Sequence, residues 1–415
     1  MQTLKNKIII VGADHHNTLA AIRCFGSMDC RIEVLFTSTT SKDINEIKCS
    51  YSKYCKGKAS IVSRDEKAIV EWLMKYGKED GEKVILFPCT DFVQYAFDLY
   101  YNILEKDFIF PGIINNPGRV SFLMDKWNQS VYAKEHHFPM AKTWEYNLED
   151  TGKLPQDMIY PCIVKPDLSA HGSKADISIC KTSDELYSIL QTFKKKGYCN
   201  VLIQQFIKKD YEVCAFGCLV NVDDCEDSTN DIIQKANYGC YLRKLREYPI
   251  GGGGSLTYAV TIEDARIHKL LQQILFVLYL EGFRGNYDIE FLVCSEEVYL
   301  NEINFRHSGN GFALIKFGIP APYISCLGLI GNTDYINYPH KVKAGLYLID
   351  ELNDIEHIRE YRLNFFSWAF DYIRSKAYAK FMLQDLPGTL AFYRPMFRSL
   401  PKKVKKFIQR KGSHL

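Results

Sequence analysis

The stretch Tyr287-Asp288-Ile289-Glu290-Phe291-Leu292-Val293, followed after a polar connection by Val298-Tyr299-Leu300-Asn301-Glu302-Ile303-Asn304-Phe305-Arg306, decides how the rest of the chain is read. Both runs alternate. Tyr287, Ile289, Phe291 and Val293 fall on one face of an extended strand, Asp288 and Glu290 on the other. Ser295, Glu296 and Glu297 then read as the loop of a hairpin. With Cys294 paired to Val298, Glu290 stands opposite Glu302 and Asp288 opposite Asn304. Like charges directly opposite each other destabilise a sheet. In a partly buried groove each uncompensated carboxylate costs several kcal/mol. A divalent cation removes the conflict, because one or two carboxylates, an amide oxygen and substrate phosphates are the hard ligands that Mg²⁺ prefers. The competing reading is a solvated edge hairpin. Arg306 weighs against it: a guanidinium two residues past Asn304, in the stretch His307-Ser308-Gly309-Asn310-Gly311, can reach an anion in the same groove. Cation, acids and arginine together point to phosphoryl chemistry.

At 415 residues the chain is long enough for two or three structural units with substantial cores. Its hydrophobic fraction of 47% is that of an ordinary globular enzyme, and a net charge of +3 carries no global nucleic-acid signature. The 14 cysteines are scattered, with no CxxC pair and no metal-like spacing; Cys214 and Cys218 sit in an apolar run that suits packing. No signal peptide and no run of about 18 apolar residues is present, so the expectation is a cytoplasmic protein with reduced thiols.

The amino-terminal part alternates strand-like and helix-like segments. Lys7 to Val11 leads through Gly12-Ala13-Asp14-His15-His16 into a helical pattern, and Arg31 to Phe36 and Lys83 to Phe87 are further strands. Glu66 to Lys75 and Phe92 to Leu104 read as helices. This is the pattern of a small open parallel α/β layer. It lacks GxGxxG, so no dinucleotide site is expected, and His15 and His16 occupy the first strand-to-helix turn, where such layers bind ligands. The character changes at Phe110-Pro111-Gly112 and Asn115-Asn116-Pro117-Gly118. A helix then carries Asp125 and Lys126. Next come a strand ending on Ile163-Val164-Lys165-Pro166 and a small-residue loop from Asp167 to Lys174, whose backbone amides suit a triphosphate. Val201 to Ile207 is an apolar strand leading into Lys208-Lys209-Asp210-Tyr211-Glu212, a hinge-like turn or a plain hairpin.

The ordered set Asp125-Lys126, Ile163-Val164-Lys165-Pro166, Gln204-Gln205-Phe206-Ile207 and the acidic hairpin resembles the ATP-grasp superfamily, and within it the carboxylate–amine ligases of the carbamoyl-phosphate-synthase-like and D-aspartate-ligase-like groups. The resemblance runs over roughly 115–330. It implies an open parallel α/β pre-ATP-grasp domain (1–114), a two-lobed ATP-grasp domain (115–330) and a mostly helical carboxy-terminal extension (331–415). It further implies that Lys126 and Lys165 hold the ATP phosphates, that Ser169, Gly172 and Ser173 belong to the loop that closes over them, and that Gln205, Phe206 and Ile207 border the adenine. By the same resemblance Glu212 binds ribose; Glu290, Glu302 and Asn304 ligate Mg²⁺, with Mn²⁺ as an alternative ion; and Arg306 stabilises the transition state leading to an acyl phosphate. Gln204-Gln205 stands where many relatives have an acidic residue, and His171 interrupts the small residues of the phosphate loop.

Arg243-Lys244-Leu245-Arg246-Glu247-Tyr248-Pro249-Ile250, followed by Gly251 to Gly254 and Ser255, is similar to the substrate segment of these ligases. Four glycines are too flexible for a strand interior and suit a loop that lets a ligand approach its backbone, and Arg243 and Arg246 are candidates to clamp a substrate carboxylate or the γ-phosphate; the competing reading is a mobile surface linker with solvated arginines. The activity implied is ATP-dependent joining of a carboxylate to an amine, both small or peptide-like, with no nucleic-acid partner. The competing function is an ATP-binding scaffold without turnover. The tail from Tyr393 to Lys411 is basic and amphipathic. Either it is a solvated helix docked on its own protein, or it lies on an anionic membrane, which would place the enzyme peripherally on the inner face and admit a cell-envelope precursor as substrate. A homodimer is compatible with this reading.

Overall fold

Runs of β-branched residues with no polar alternation belong in strands buried on both faces, and Ile8 to Val11 are wholly inaccessible to solvent. In the computed structural model, which describes residues 4–40, 43–62, 65–149, 154–166, 177–222, 229–248, 254–260, 264–360 and 362–396, this run is β1 (Ile8–Gly12), the centre of a parallel sheet. It is joined by β2 (Ile32–Ser38), β3 (Gly57–Val62), β4 (Val84–Pro88) and β5 (Phe108–Ile109) in the order β3-β2-β1-β4-β5. Helices His16–Ser27, Glu66–Trp72 and Asp91–Leu99 connect the strands. The short β6 (Gly112–Ile113) leaves this layer and pairs with a strand of the large sheet.

A four-stranded sheet follows, ordered β7-β10-β8-β9, from β7 (Thr143–Asn147), β8 (Cys162–Pro166), β9 (Ser178–Cys180) and β10 (Asn200–Gln205). Helix Ser183–Lys195 presents Leu186, Leu190 and Phe193, spaced for one helical face, to Val164, Val201 and Ile203.

The large sheet is antiparallel over its first five members: β11 (Tyr211–Leu219), β12 (Asn237–Glu247), β13 (Gly254–Val260), β14 (Phe283–Val293) and β15 (Val298–Asn304). Among the described residues after 331 lie helices such as Glu351–Arg359 and Phe365–Arg374, and the chain there also adds β16 (Leu346–Ile349) to the edge of β13, and β17 (Ala377–Tyr378) to β16. Alternation sorts the faces. Val213, Ala215, Tyr287, Ile289 and Phe291 pack with helix Ala265–Leu280, while Cys214, Phe216, Cys218 and Leu242 share a core with the first helix and helix Ala321–Leu329. The even-numbered residues of β14 therefore lie on the face turned toward the amino-terminal layer. Cys214 and Cys218 are core residues of that face, as their apolar run implied.

Candidate active site

The acids meet as the alternation required. Glu290 stands opposite Glu302, and Asp288 opposite Asn304. The turn is one residue tighter than expected: Val293, not Cys294, pairs with Val298, and the Cys294 amide closes the turn onto the Glu297 carbonyl at 2.9 Å. An irregularity between Glu290 and Phe291, where Asn301 is the extra residue, restores the register at the acids. Asn301 Nδ2 donates to Glu290 Oε2 at 3.3 Å. Burial, and then Glu290, pushes the Asp288 carboxyl up to about 6, with Arg306 opposing. Asp288 Oδ1 is buried without a hydrogen-bond partner.

Arg306 is oriented by a residue of the amino-terminal layer. Its Nε donates to Asp91 Oδ1 at 2.9 Å and its Nη2 to Asp91 Oδ2 at 3.2 Å. Nη1 lies 3.6 Å from Asp288 Oδ2, and Nη2 lies 3.5 Å from Asn304 Oδ1. This two-point hold fixes the plane of the guanidinium beside the acids. Lys165, on β8 of the other sheet, donates to Gln204 Oε1 at 2.8 Å. Burial and the neighbouring Lys126 push its ammonium down to about 8, while Glu302 and Glu290 push back. The four-stranded sheet thus delivers its lysine, and the helix Lys126–Glu135 its first residue, to the acids of the large sheet. Among the described residues no group of three or more His, Cys, Asp or Glu side chains converges. The chain offers two carboxylates and an amide oxygen, which is the partial set Mg²⁺ takes when phosphates complete its shell.

At the hinge, the Phe206 amide donates to the Pro161 carbonyl at 3.0 Å and the Gln205 amide to the Lys142 carbonyl at 2.8 Å. The Phe206 amide is thus not offered to a base. Gln205 Oε1 faces the Lys142 amide at 3.5 Å, and the Ile207 carbonyl accepts from the Lys209 amide at 3.0 Å. Glu212 is bonded to both Lys209 and Lys244; burial raises its carboxyl, but these lysines, Lys244 first, hold it below the usual range. Ser169, Gly172 and Ser173, with His171, lie outside the described residues, as do 249–253 and the tail from 397 onward.

Two expectations of the Arg243–Ser255 segment are corrected. Arg246 does not present an open fork to a substrate: it takes Asp354 at 3.2 and 2.5 Å and Asp371 at 2.5 Å, tying β12 to the helices Glu351–Arg359 and Phe365–Arg374. Arg243 projects to the helix-covered face and lies over the Tyr211 ring at 3.9 Å. Gly254 and Ser255 begin β13 and are not part of a loop, with Gly254 paired to Glu247. Their carboxylate and strand partners are remote in sequence, so composition alone pointed to a mobile substrate loop.

Asp91 was missed. It follows Thr90, which caps its helix by accepting from the Val93 amide at 3.2 Å, and a Thr-Asp pair at a helix start reads as ordinary capping. The available signal was position: Asp91 opens the helix after β4, in the strand-to-helix turn at the carboxyl edge of the parallel sheet, where ligands bind. His15 caps the first helix, its Nδ1 accepting from the Asn17 amide at 3.4 Å, and its ring lies 3.9 Å from that of His16, tilted by 40°. Burial, then His15, lowers His16 well below the usual range. The segment after Arg306 packs directly on this turn: a Cβ on Gly309 would come within 1.8 Å of the His16 ring. Burial and Arg306 hold His307 down at about 3.

No protein-family model matches the chain. A formate-dependent phosphoribosylglycinamide formyltransferase of Histophilus somni is 25% identical over 175 residues, 41% of this chain and 40% of that enzyme. The chain thus spans less than half the length of that curated relative. Among solved structures, N5-carboxyaminoimidazole synthetase of Staphylococcus aureus superposes with a TM-score of 0.60 at 14% identity, covering 84% of this chain and 82% of that one. An L-amino acid ligase of Bacillus licheniformis superposes with a TM-score of 0.58 at 12% identity, covering 83% and 79%.

Proposed function

We propose that the chain, whose fold is similar to that of N5-carboxyaminoimidazole synthetase and of an L-amino acid ligase, is an ATP-grasp enzyme, an ATP- and magnesium-dependent ligase joining a carboxylate to an amine. The observation that carries this reading is the opposition of Glu290 and Glu302, with Arg306 locked beside them by Asp91 and Lys165 brought to the same acids from the other sheet. A carboxylate oxygen attacks the γ-phosphorus of ATP, a new O–P bond forms as the bond to ADP breaks, and an acyl phosphate results. The amine nitrogen then attacks the acyl carbon and inorganic phosphate leaves.

No nucleophilic side chain is required; the chain positions reactants and offsets charge. Lys126 and Lys165 meet the ATP phosphates, and Arg306 meets the charge that develops on the transferring phosphoryl group and the acyl phosphate. Glu290, Glu302 and Asn304 would hold Mg²⁺, or Mn²⁺, which take the same hard oxygen ligands. The two opposed carboxylates and the unpartnered oxygen of Asp288 fit such a cation. When bound, the ion supplies Lewis-acid neutralisation of phosphate charge. Glu212 takes the ribose hydroxyls. Gln205, the Phe206 carbonyl and the Ile207 amide border the adenine, and Ser169, Gly172 and Ser173 close over the phosphates and exclude water from the acyl phosphate.

The finer reading is that the enzyme adds an amino acid to a peptide or cell-envelope precursor while resting on the inner face of the membrane. The basic tail supports it. The test is ADP release by the full chain with Mg-ATP, against amino acids supplied singly and in pairs; formate joins the panel because the curated relatives are named as formate-dependent. Release that requires an acid and rises with one amine establishes the ligase. ATP binding with no release across the panel and across peptide precursors leaves the scaffold reading instead. Glu302→Gln should leave the fold intact and remove Mg²⁺-dependent turnover, and unchanged turnover in it would overturn the metal assignment.

A further inference from the structure

Helix Phe365–Arg374 begins with aromatic residues that a soluble protein would bury, yet Phe366 is 80% exposed, Phe370 64% and Ile373 80%. They fall at i, i+4 and i+7, within about 60° of arc, and so form one outward stripe. The opposite side is the attached one: Asp371 is buried against Arg246, and Tyr372 meets the Tyr378 hydroxyl through its carbonyl at 2.9 Å. Leu383, Leu386 and Leu390, further along the chain, are also exposed, at 66%, 45% and 58%. Contiguous exposed apolar surface of this kind marks a protein or a membrane contact.

Charge decides which. The segment 397–415 holds seven Lys or Arg and no Asp or Glu, so against a total of +3 the preceding residues carry −4. That asymmetry is the signature of a chain whose cationic end seeks an external polyanion. The described chain ends near this helix: Tyr393 bonds Glu351 and lies close to Tyr372. The acids nearby are already engaged, Asp371 by Arg246 and Arg374, Asp354 by Arg246 and Asp350 by Lys380. The Arg374 guanidinium lies 5.2 Å over the Phe370 ring, a cation at the edge of the stripe. Among the described residues no helix is long and apolar enough to cross a membrane.

We propose that the Phe366–Phe370–Ile373 stripe is a membrane-docking surface that inserts into the interfacial layer of an anionic bilayer, to whose charge the cationic carboxy-terminal sequence draws the chain. Aromatic and aliphatic side chains on one helix face, with Lys and Arg alongside, are what interfacial binding requires. The inference deepens the membrane-facing reading above and does not depend on the ligase chemistry.

The test is flotation of the full chain with vesicles of phosphatidylcholine alone and of phosphatidylcholine with phosphatidylglycerol, for the wild type and for the triple variant Phe366→Ser, Phe370→Ser, Ile373→Ser. These positions are exposed, so the variant should keep its circular dichroism, melting temperature and ADP release in solution. The wild type should float with the anionic vesicles only, and the variant should lose about tenfold or more of its partition, since interfacial binding scales with buried apolar area. Three results overturn the proposal: no flotation of the wild type, equal flotation of the variant, or a wild-type dimer that the variant splits without any vesicle binding. The last would make the stripe a contact between copies. Because ADP release is read separately, a failure here is distinguishable from a failure of the ligase reading.

Discussion

Arg306 takes both oxygens of Asp91 at 2.9 and 3.2 Å and lies 3.6 Å from Asp288; Arg246 takes both oxygens of Asp354 at 3.2 and 2.5 Å and one of Asp371 at 2.5 Å. Each arginine side chain is largely buried between two aspartates contributed by distant parts of the chain. What differs is the closure of the charge around them. Around Arg246 the account closes: Arg374 takes the other oxygen of Asp371 at 2.5 Å, giving two arginines and two aspartates. Around Arg306 it stays open, with Glu290 facing Glu302 and a buried Asp288 oxygen lacking a partner. A closed cluster holds elements together; on the proposed function, the open one takes a cation and phosphates.

Substitutions test that distinction. Arg246→Ala strands Asp354 and Asp371 in a buried setting, and removing one partner of such a pair costs about 3–5 kcal/mol. Chemical denaturation should show that loss, while turnover per folded molecule stays within about twofold, because the charges of the cluster are engaged with one another. A large fall in turnover with unchanged stability would return Arg246 to the substrate site. Arg306→Lys keeps the charge but loses the fork that Asp91 orients. ADP release should fall by about 10²-fold, the scale of losing one preorganised donor, with a melting temperature near wild type. Retained turnover would erase the difference between the two arginines. Asp91→Asn sits between them: it keeps an acceptor for Arg306 and removes the charge that orients it. A drop of about tenfold in kcat with little change in KM is expected, since misorientation acts on the transition state more than on binding.

The same contrast explains what the sequence made legible. Opposed acids on adjacent strands are set by a period of two, so Glu290, Glu302, Asp288 and Asn304 followed from alternation even though the turn was off by one; the bulge at Asn301 absorbed the error. The parallel amino-terminal layer was legible for a similar reason, since Ile8 to Val11 leave no polar face to expose. Arg246 and Arg306 were not distinguishable, because each lies beside a glycine-rich stretch and the partners that separate them, Asp354 and Asp91, are 108 and 215 residues away. Their geometry is a property of packing between units, and no local pattern encodes it. The two strands after residue 331 escaped for a related reason. Leu346–Ile349 and Ala377–Tyr378 are too short to show a period, and they become strands only because the edge of β13 is there to receive them.

The smallest expected effect separates the cations of the site by pH. Arg306 is held charged by Asp91 and Asp288 despite its burial and does not titrate in any working range. Lys165 does, since burial and Lys126 bring its ammonium down to about 8. In its proposed role the lysine would meet the ATP phosphates already charged below that value; above it, phosphate binding must first recover a proton. Affinity for ATP at fixed ionic strength should therefore weaken by up to about tenfold between pH 7 and pH 9, following the linkage between protonation and binding. Stability of the nucleotide-free chain has the opposite sign. The folded state holds Lys165 below its ordinary 10.5, so the unfolded chain binds more protons between about 8 and 10.5, and this group's contribution to folding rises with pH across that window and is lost as pH falls through 8. Lys165→Gln should flatten both slopes while leaving the response of Arg306 variants untouched. If the affinity slope survives in Lys165→Gln, the titrating cation is another group, and the four-stranded sheet does not deliver the phosphate lysine.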